Sequence, residues 1–432
     1  MKRGGAMTSK SLQDKRKSIC LFCLVFTVYA LVYMSKNSFS AAMADIVARG
    51  VMTKSQTGMI TAVFYAIYAP LQIVGGIVAD RCSPKHLILI GTLGGAICNL
   101  LVYCFAGNYA AMLVIWSCNA VVQFGLWPSV FKIIASQLHA EHRGRAVVLI
   151  NVSVNVGLLI SYAAASMLED WKENFLFSTA LMLASAVLFF IVYTRLERDM
   201  NSGAVAQAMS AEHESVGQAK REKRGDLFAA IMRSGVPLIL LSYFIMNSLH
   251  LGMKSLAPVM LMESYDTLGP SLANALNILL IAASCVGTLV AYLPVWRRMH
   301  EVAAIAILTA CVLPPIVALV AVGRIPLPAE ICAMIMINVV LSATIVFFMM
   351  VSKAFEAYGG AATVAGLFNC MGSVSIVVVN SVFTHVAEED GWTVVGWTWL
   401  VLAAVVLAVI PISILMWGRF LKGIRGKTQV KD

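Results

Sequence analysis

Three lysines lie inside apolar stretches of the chain, and they are Lys36, Lys132 and Lys254. A charge near the centre of a lipid bilayer costs at least about 2.5 to 3.5 kcal/mol, so an ionisable residue in such a stretch indicates a functional site. His250 precedes Lys254 by four residues, which places both side chains on one helix face. We find no carboxylate in these stretches apart from Asp45 and Glu263, near the predicted outer ends. Buried cations without buried anions predict a binding site for an anion.

Polar and aromatic side chains surround Lys36 in the sequence pattern. Tyr29, Tyr33 and Lys36 share one face of the first apolar stretch. Further side chains fall in the same half of neighbouring stretches, namely Tyr65, Tyr68, Gln123, Trp127, Asn151 and Asn155. Taken singly, each is explained as well by hydrogen bonding between helices. The lysines also have an alternative explanation, because a long side chain can extend to the membrane interface. This is easiest for Lys132 and hardest for Lys36.

The composition requires a membrane environment for these elements. Of the 432 residues, 60% are hydrophobic and 12% are charged, whereas a soluble domain has roughly a quarter of its residues charged. A soluble enzyme, a disulfide scaffold and a disordered protein are therefore excluded. We expect no enzyme activity, no cofactor and no metal site, because the chain has no glycine-rich phosphate loop, no metal-ligand spacing and no nucleophile beside a base. We expect no nucleic-acid partner, because the basic residues are explained as orientation signals.

The apolar runs predict an all-α membrane protein with twelve spans in two six-helix halves. The predicted spans are 19–46, 57–79, 86–106, 109–137, 144–168, 174–194, 236–262, 271–296, 302–322, 329–352, 361–385 and 393–417. The halves occupy 19–194 and 236–417, between a tail at 1–18, a polar loop at 195–235 and a basic tail at 418–432. Within the loop, 225–233 is predicted as a short amphipathic helix.

Lysine and arginine set the predicted orientation, since they accumulate on the cytoplasmic side. With the N-terminus inside, 25 of the 32 Lys and Arg residues lie in the tails and even-numbered loops. Both termini are therefore predicted to be cytoplasmic, and the expected location is a bacterial inner membrane. Ten cysteines lie almost entirely in apolar spans, Cys82 being the exception, and we assign them to packing.

A motif of one glycine and three charged residues lies at the end of the second span and in the loop after it. It comprises Gly76, Asp80, Arg81 and Lys85, the pattern of the loop between helices two and three of the major facilitator superfamily. We expect Gly76 to allow close helix approach, and the charges, with Arg143 after the fourth span, to latch one conformation.

Nearly the whole chain resembles the organophosphate:phosphate antiporters, the family of the bacterial glycerol-3-phosphate and hexose-phosphate transporters. The residues that carry the resemblance are Tyr29, YMSKNSFSAAM (33–43), Tyr68, ADRCSP (79–84), QFGLWP (123–128), HRGRAVVLINVSVNVG (142–157) and AGLFNCMGSV (365–374). This resemblance implies twelve helices in two pseudo-symmetric halves, a substrate at the midplane, and alternating access by rocking of the halves.

The chain departs from that family at the site. Two arginines and a histidine grip the phosphate in the family, and the matching positions here are Lys36, His250 and Val154. Lysine offers a point charge instead of a planar fork, and histidine is only partly protonated at neutral pH. Lys254 adds a cation one turn beyond the usual position. The resemblance therefore predicts the fold more firmly than a phosphate substrate.

We predict a secondary transporter of a small organic anion, either a phosphorylated metabolite or a carboxylate. The predicted substrate-binding residues are Lys36, His250, Lys254, Tyr29, Tyr33, Tyr68, Gln123, Trp127, Asn151 and Asn155. We expect a monomer that works by anion exchange, with inorganic phosphate or another anion as the counter-substrate. Two alternatives stay open: a transporter or exporter of a neutral or cationic compound, and a transporter-like ligand sensor.

Overall fold

A computed structural model describes residue 12 and residues 14–210, 224–358 and 360–429. Most of the predicted N-terminal tail, the middle of the predicted central loop and the last three residues lie outside the described residues. The side chains of Asp80 and Asn151, both predicted to be functional, also lie outside what the structure describes.

Eight α-helices make up the first half of the chain. They are α1 (Lys15–Lys36), α2 (Ser38–Ala48), α3 (Lys54–Arg81), α4 (Pro84–Cys104), α5 (Tyr109–Val122), α6 (Leu126–Ser136), α7 (Ala140–Met167) and α8 (Glu173–Ser210).

Nine α-helices follow in the second half. They are α9 (Arg224–Ser234), α10 (Val236–Ser255), α11 (Ala257–Ser264), α12 (Pro270–Val290), α13 (Glu301–Val320), α14 (Leu327–Met350), α15 (Ala361–Val378), α16 (Thr384–Glu389) and α17 (Trp392–Gln429). Short 3₁₀ segments cover Pro294–Arg298 and Val351–Tyr358, and a π-helical turn covers Val379–Phe383. Helix α9 confirms the short helix predicted at 225–233.

The described residues contain ten helical stretches that are long and apolar enough to cross a membrane. Helices α3 and α7 occupy the two remaining predicted spans, 57–79 and 144–168. The all-α, multi-pass fold class is therefore confirmed.

Two helices continue beyond the predicted ends of their spans. Helix α8 runs to Ser210, through residues that we predicted as loop, and α17 runs to Gln429 instead of ending near residue 417. The polar extension of α8 contains Arg, Leu, Glu, Met, Gln and Ala but no proline. These residues have good helix propensity, so the helix persists after the apolar run ends. Hydropathy therefore predicts where a span lies but not where its helix ends.

Three predicted spans are interrupted beside residues proposed for the site. The break between α1 and α2 falls at Asn37, next to Lys36, and the side chain of Asn37 donates to the Tyr33 carbonyl at 2.8 Å. The break between α5 and α6 falls at Gln123. The break between α10 and α11 falls at Leu256, just after Lys254. Interrupted helices at membrane depth occur where protein buries them or where they line a cavity.

The chain divides into two compact units. Unit 1 comprises Met1–Ser38, Ile67–Ala164 and Leu168–Ala219. Its buried core joins α1, α4, α6 and α8 through residues such as Val25, Ile88, Ile133 and Phe189.

Unit 2 comprises Phe39–Ala66, Ala165–Met167 and Lys220–Asp432. Its core includes Met246, Leu280, Ile305, Phe348 and Trp399, all at most 1% exposed. The segment 39–66, which holds α2 and the start of α3, packs in this unit.

Close helix packing in unit 2 gives a stability prediction. A Cβ atom at Gly287 on α12 would collide with the carbonyl oxygen of Val339 on α14, whereas a Cβ at Gly366 on α15 would meet nothing within 4 Å. We expect Gly287→Ala to destabilise the protein by about 1 to 3 kcal/mol, because overpacking forces backbone shifts. Gly366→Ala is the control and should be neutral or slightly stabilising. Thermal unfolding in detergent measures both, and equal midpoints would contradict the packing.

Candidate functional site

Lys36 lies at the C-terminal end of α1 in unit 1 and is 2% exposed. Its ammonium donates to the Tyr68 hydroxyl at 2.9 Å. The same nitrogen lies 4.1 Å from the centroid of the Tyr68 ring and 5.2 Å from that of the Tyr33 ring. Lys36 forms no ion pair with any carboxylate in the described residues. Two tyrosines therefore stabilise the buried cation through ring quadrupoles and one hydroxyl, which leaves its positive charge uncompensated.

An aromatic row continues from this cation. The Tyr29 ring lies 5.1 Å from the Tyr33 ring, edge to face, and 5.1 Å from the Trp127 ring. The predicted spacing of Tyr29, Tyr33 and Lys36 on one helix face thus brings them together, and α3 and α6 supply Tyr68 and Trp127. This arrangement offers flat apolar walls beside a single charge.

Gln123 belongs to a different set of contacts. Its amide nitrogen donates to the Asn119 Oδ1 at 2.6 Å, while its Oε1 is buried without a hydrogen-bond partner. Asn99 donates to the Ser35 hydroxyl at 2.6 Å, on the residue before Lys36. Asn99 and Ser35 were not among the predicted site residues, although an asparagine in an otherwise apolar stretch is a usable sequence signal. Ligand contact by Gln123 and Asn155 stays a prediction.

Lys132 has a structural explanation. Its ammonium donates to the backbone carbonyls of Ala79 at 2.6 Å and Cys82 at 3.3 Å, at the C-terminal end of α3. The last carbonyls of a helix lack partners within the helix, and a lysine satisfies them while also interacting favourably with the helix dipole. Lys132 is therefore a helix cap.

His250 and Lys254, both on α10, lie in unit 2. His250 is 6% exposed and its Nδ1 atom has no hydrogen-bond partner, and Lys254 is 9% exposed. Asn277 on α12 donates to the Lys254 carbonyl at 2.9 Å, beside the break after α10. A buried lysine one turn from a buried histidine is consistent with the predicted site for negative charge.

Segment 39–66 makes polar contacts beside these residues within unit 2. The Ser255 hydroxyl lies 3.3 Å from the Ser40 hydroxyl and donates to the Asn380 Oδ1 at 3.2 Å. Asn380 lies in the π-helical turn, a distortion that is often found at functional sites. Asn274 donates to the Ala41 carbonyl at 3.1 Å.

A half-buried ion pair completes the attachment of this segment. The Lys54 ammonium lies 2.6 Å from the Glu263 carboxylate, which also accepts a 2.7 Å hydrogen bond from the Trp392 indole. The Lys54 nitrogen is 5.3 Å from the Trp392 ring centroid. We call these three residues the Glu263 cluster. Nothing in the sequence spacing predicts that Lys54 and Glu263 meet, since they are 209 residues apart.

The residues predicted as a conformational latch lie in unit 1. Lys85 pairs with Glu197 on α8 at 3.2 Å, and Arg143 donates to the carbonyls of Leu138 and Ser136 after α6. A Cβ at Gly76 would meet nothing within 4 Å, so the expected close approach at that glycine is wrong. The close approach belongs to Gly75, whose added Cβ would lie 2.6 Å from the Phe124 carbonyl oxygen.

Arg81 is exposed. The latch function of these charges stays a prediction.

The expectation that the spans hold no carboxylate beyond Asp45 and Glu263 is wrong. Glu330 lies in the first turn of α14 and is 0% exposed. It falls one residue inside the predicted span at 329–352, where the long apolar run that follows obscured it.

Comparison with protein families agrees with this architecture. The model of the Major Facilitator Superfamily matches residues 25–380. The chain belongs to the major facilitator superfamily. In fold, it is similar to a crystal structure of a bacterial homologue of the human lysosomal transporter Spinster, with a TM-score of 0.70 at 12% identity over 94% of this chain and 99% of that one. Members of this superfamily are membrane transporters, and nothing in the comparison indicates an enzyme.

Similarity to individual proteins covers less than half of the chain. It is 29% identical to the Membrane sensor protein UhpC of Escherichia coli over 42% of each protein. It is 26% identical to the glycerol-3-phosphate transporter of Bacillus subtilis over 41% of each, and 24% identical to the probable sulfoacetate transporter SauU of Cupriavidus necator over 46% of each. The chain thus matches less than half the length of these relatives. These matches support the resemblance to organophosphate transporters.

Proposed function

We propose that this protein is a secondary transporter that moves a small organic anion by alternating access. The observation that carries the proposal is Lys36, a cation that is 2% exposed and stabilised only by tyrosine groups among the described residues. An uncompensated buried cation is costly, and an anion that binds it offsets that cost. His250 and Lys254 stay predicted contributors to anion binding.

The geometry at Lys36 favours a substrate with one compact oxyanion and an apolar or ring-shaped body. A lysine ammonium is a point charge without the forked donors that select phosphate, so carboxylates and sulfonates are as suitable as phosphate esters. The names of the relatives span this range, from glycerol-3-phosphate to sulfoacetate. The aromatic row of Tyr33, Tyr29 and Trp127 would contact the body of the substrate.

Exchange is the proposed mode of transport. An empty cationic site resists reorientation through a low-dielectric interior, whereas a bound anion lowers that cost. The counter-substrate would be inorganic phosphate or another anion. We further propose that both termini are cytoplasmic, that the protein works as a monomer in a bacterial inner membrane, and that 19–194 and 236–417 form its two six-helix halves.

Thermal unfolding of the detergent-purified protein tests the proposal. The panel consists of inorganic phosphate, glycerol-3-phosphate, hexose phosphates, mono- and dicarboxylates, sulfoacetate and lipophilic cations. An anion at 100 times its dissociation constant should stabilise the protein by about 2.7 kcal/mol. Stabilisation by one anion class supports the proposal. Stabilisation by cations alone, or by no anion, would overturn it and favour the alternative of a transporter for neutral or cationic compounds.

A ligand sensor is the second candidate, because one relative is named a membrane sensor protein. The two functions differ in flux and not in binding. Counterflow of a radiolabelled form of the stabilising anion in proteoliposomes separates them. Accumulation above equilibrium supports transport, whereas binding without accumulation supports the sensor.

A further inference from the structure

Glu330 is a buried carboxyl group that the proposed anion site does not use. It lies in unit 2, in the first turn of α14, and is 0% exposed. Neither of its carboxyl oxygens has a hydrogen-bond partner. Glu330 forms no ion pair with any residue that the structure describes.

The groups around Glu330 offer no compensating charge. Two loops lie at this end of α14: residues 265–269 before α12 and residues 323–326 before α14. The titratable or charged groups on these loops and on the nearer parts of α10 and α13 are Tyr265, Asp266, Arg324, His250, Lys254 and Cys311, and the first half of α12 has none. Helix α11 adds Glu263, which is paired with Lys54, and α14 itself adds Cys332. The Tyr265 hydroxyl donates to the Ile325 carbonyl at 3.0 Å, so its proton is directed to the neighbouring loop. Arg324 is exposed.

An ionised carboxylate is incompatible with this environment. Moving a charge from water into a protein interior has a large desolvation penalty unless a counter-ion and hydrogen bonds replace the water. The N-terminus of α14 supplies a partial positive charge, but a helix dipole offsets only a small part of such a penalty. A neutral carboxylic acid avoids most of it. The arrangement therefore favours the protonated form of Glu330.

The loops at 265–269 and 323–326 are connected to the Glu263 cluster. The loop that contains Tyr265 begins two residues after Glu263, which pairs with Lys54 at 2.6 Å. The hydrogen bond from Tyr265 to Ile325 joins that loop to the loop before α14. A Cβ at Gly323 in the second loop would lie 3.0 Å from the Ser264 carbonyl oxygen, so the two loops are closely packed.

We propose that Glu330 is a proton-binding site of this protein. The site holds a proton while the loops at 265–269 and 323–326 are closed, and releases it to water when they separate, leaving a solvated carboxylate. With the proposed orientation this end of unit 2 faces the outside of the cell, so the site responds to external pH. This inference concerns a proton and not the anion, so it goes beyond the proposed function.

Infrared difference spectroscopy of the purified protein tests the bound proton directly. A protonated carboxyl group absorbs at a different infrared frequency from a carboxylate, and its band shifts when deuterium replaces hydrogen. We expect a deuterium-sensitive carboxyl band at neutral pH that is absent in Glu330→Gln and retained in Asp266→Asn, an exposed acidic control in the same loop region. The absence of a band that depends on Glu330 would overturn the proposal. Should Glu330→Gln not fold, Glu330→Leu serves in its place.

The pH dependence of thermal stability gives an independent measurement. An unfolded glutamate loses its proton well below neutral pH, so the folded state binds one more proton than the unfolded state. Raising the pH should then weaken the folding equilibrium of the wild-type protein by up to about tenfold per pH unit from mildly acidic to neutral pH. Glu330→Gln should lack this contribution. Equal slopes in the two proteins would contradict the proposal, and neither measurement requires that the protein bind an anion.

Discussion

Replacing Lys36 by glutamine should greatly reduce the stabilisation that a bound anion gives to the wild-type protein. A hydrogen bond between two charged groups is worth about 1.5 to 3 kcal/mol, and here the variant also loses the local positive charge. We therefore expect the affinity to fall by about ten- to a hundredfold or more. Thermal unfolding with the anion identified in the panel measures the loss, and counterflow should fall in parallel.

The stability of the same variant without ligand should move in the opposite direction. Lys36 is buried without a carboxylate partner, so removing its charge relieves a desolvation penalty. We expect Lys36→Gln to unfold at the same temperature as the wild-type protein or at a higher one. This combination, with ligand response lost and apo stability kept, distinguishes a ligand-binding lysine from a structural one.

Two control variants make the result specific. Lys132→Gln removes a cation that caps α3 and should keep the anion response while lowering stability. Lys36→Arg keeps the charge and should keep binding, with a shift towards anions that accept two parallel hydrogen bonds. An undiminished anion response in Lys36→Gln would remove Lys36 from the proposed site.

The fold class was predictable from the sequence because a membrane imposes it. Twenty or so apolar residues in a row must form a helix there, since every backbone group needs a partner inside the segment. Apolar runs therefore located the spans well. They did not locate helix ends such as Ser210, which depend on helix propensity in water, or the break at Gln123.

The site was predictable where its parts lie on one helix. The spacing of Tyr29, Tyr33 and Lys36 was sufficient to place them together, because one helix face follows from periodicity alone. Contacts between distant segments were not predictable. Helix packing determines that Lys132 caps the end of α3 and that Lys54 pairs with Glu263. It also determines that the close backbone approach occurs at Gly75 instead of Gly76.

Glu330 shows a further limit of hydropathy. A single carboxyl at the start of a very apolar helix hardly changes the mean hydropathy of the window, and it looks like an ordinary acidic residue in a first helical turn. Only its burial and its unpartnered oxygens distinguish it from an exposed residue of that kind. The structure thus adds a titratable group to a protein whose spans had seemed to contain only cations.

Glu263→Gln should loosen segment 39–66 from unit 2. The variant leaves Lys54, only 12% exposed, without its anion and weakens the hydrogen bond from Trp392. Breaking one side of a partly buried pair costs more than the 0.2 to 1 kcal/mol typical of exposed pairs, so we expect about 1 to 3 kcal/mol. Local opening should then increase about five- to a hundredfold. Hydrogen–deuterium exchange of the amides around residues 51–58 measures this change.

The same segment offers a matched control for that experiment. Arg49 and Asp45 pair at 2.8 Å on consecutive turns, with the Arg49 side chain 47% exposed. Such a pair contributes little, so Arg49→Gln should leave the exchange of residues 51–58 within about twofold of wild type. In Lys54→Gln/Glu263→Gln the effects should be less than additive, because each single change removes the same contact. Additive effects, or equal exchange in Glu263→Gln and Arg49→Gln, would mean that the Glu263 cluster does not hold the segment.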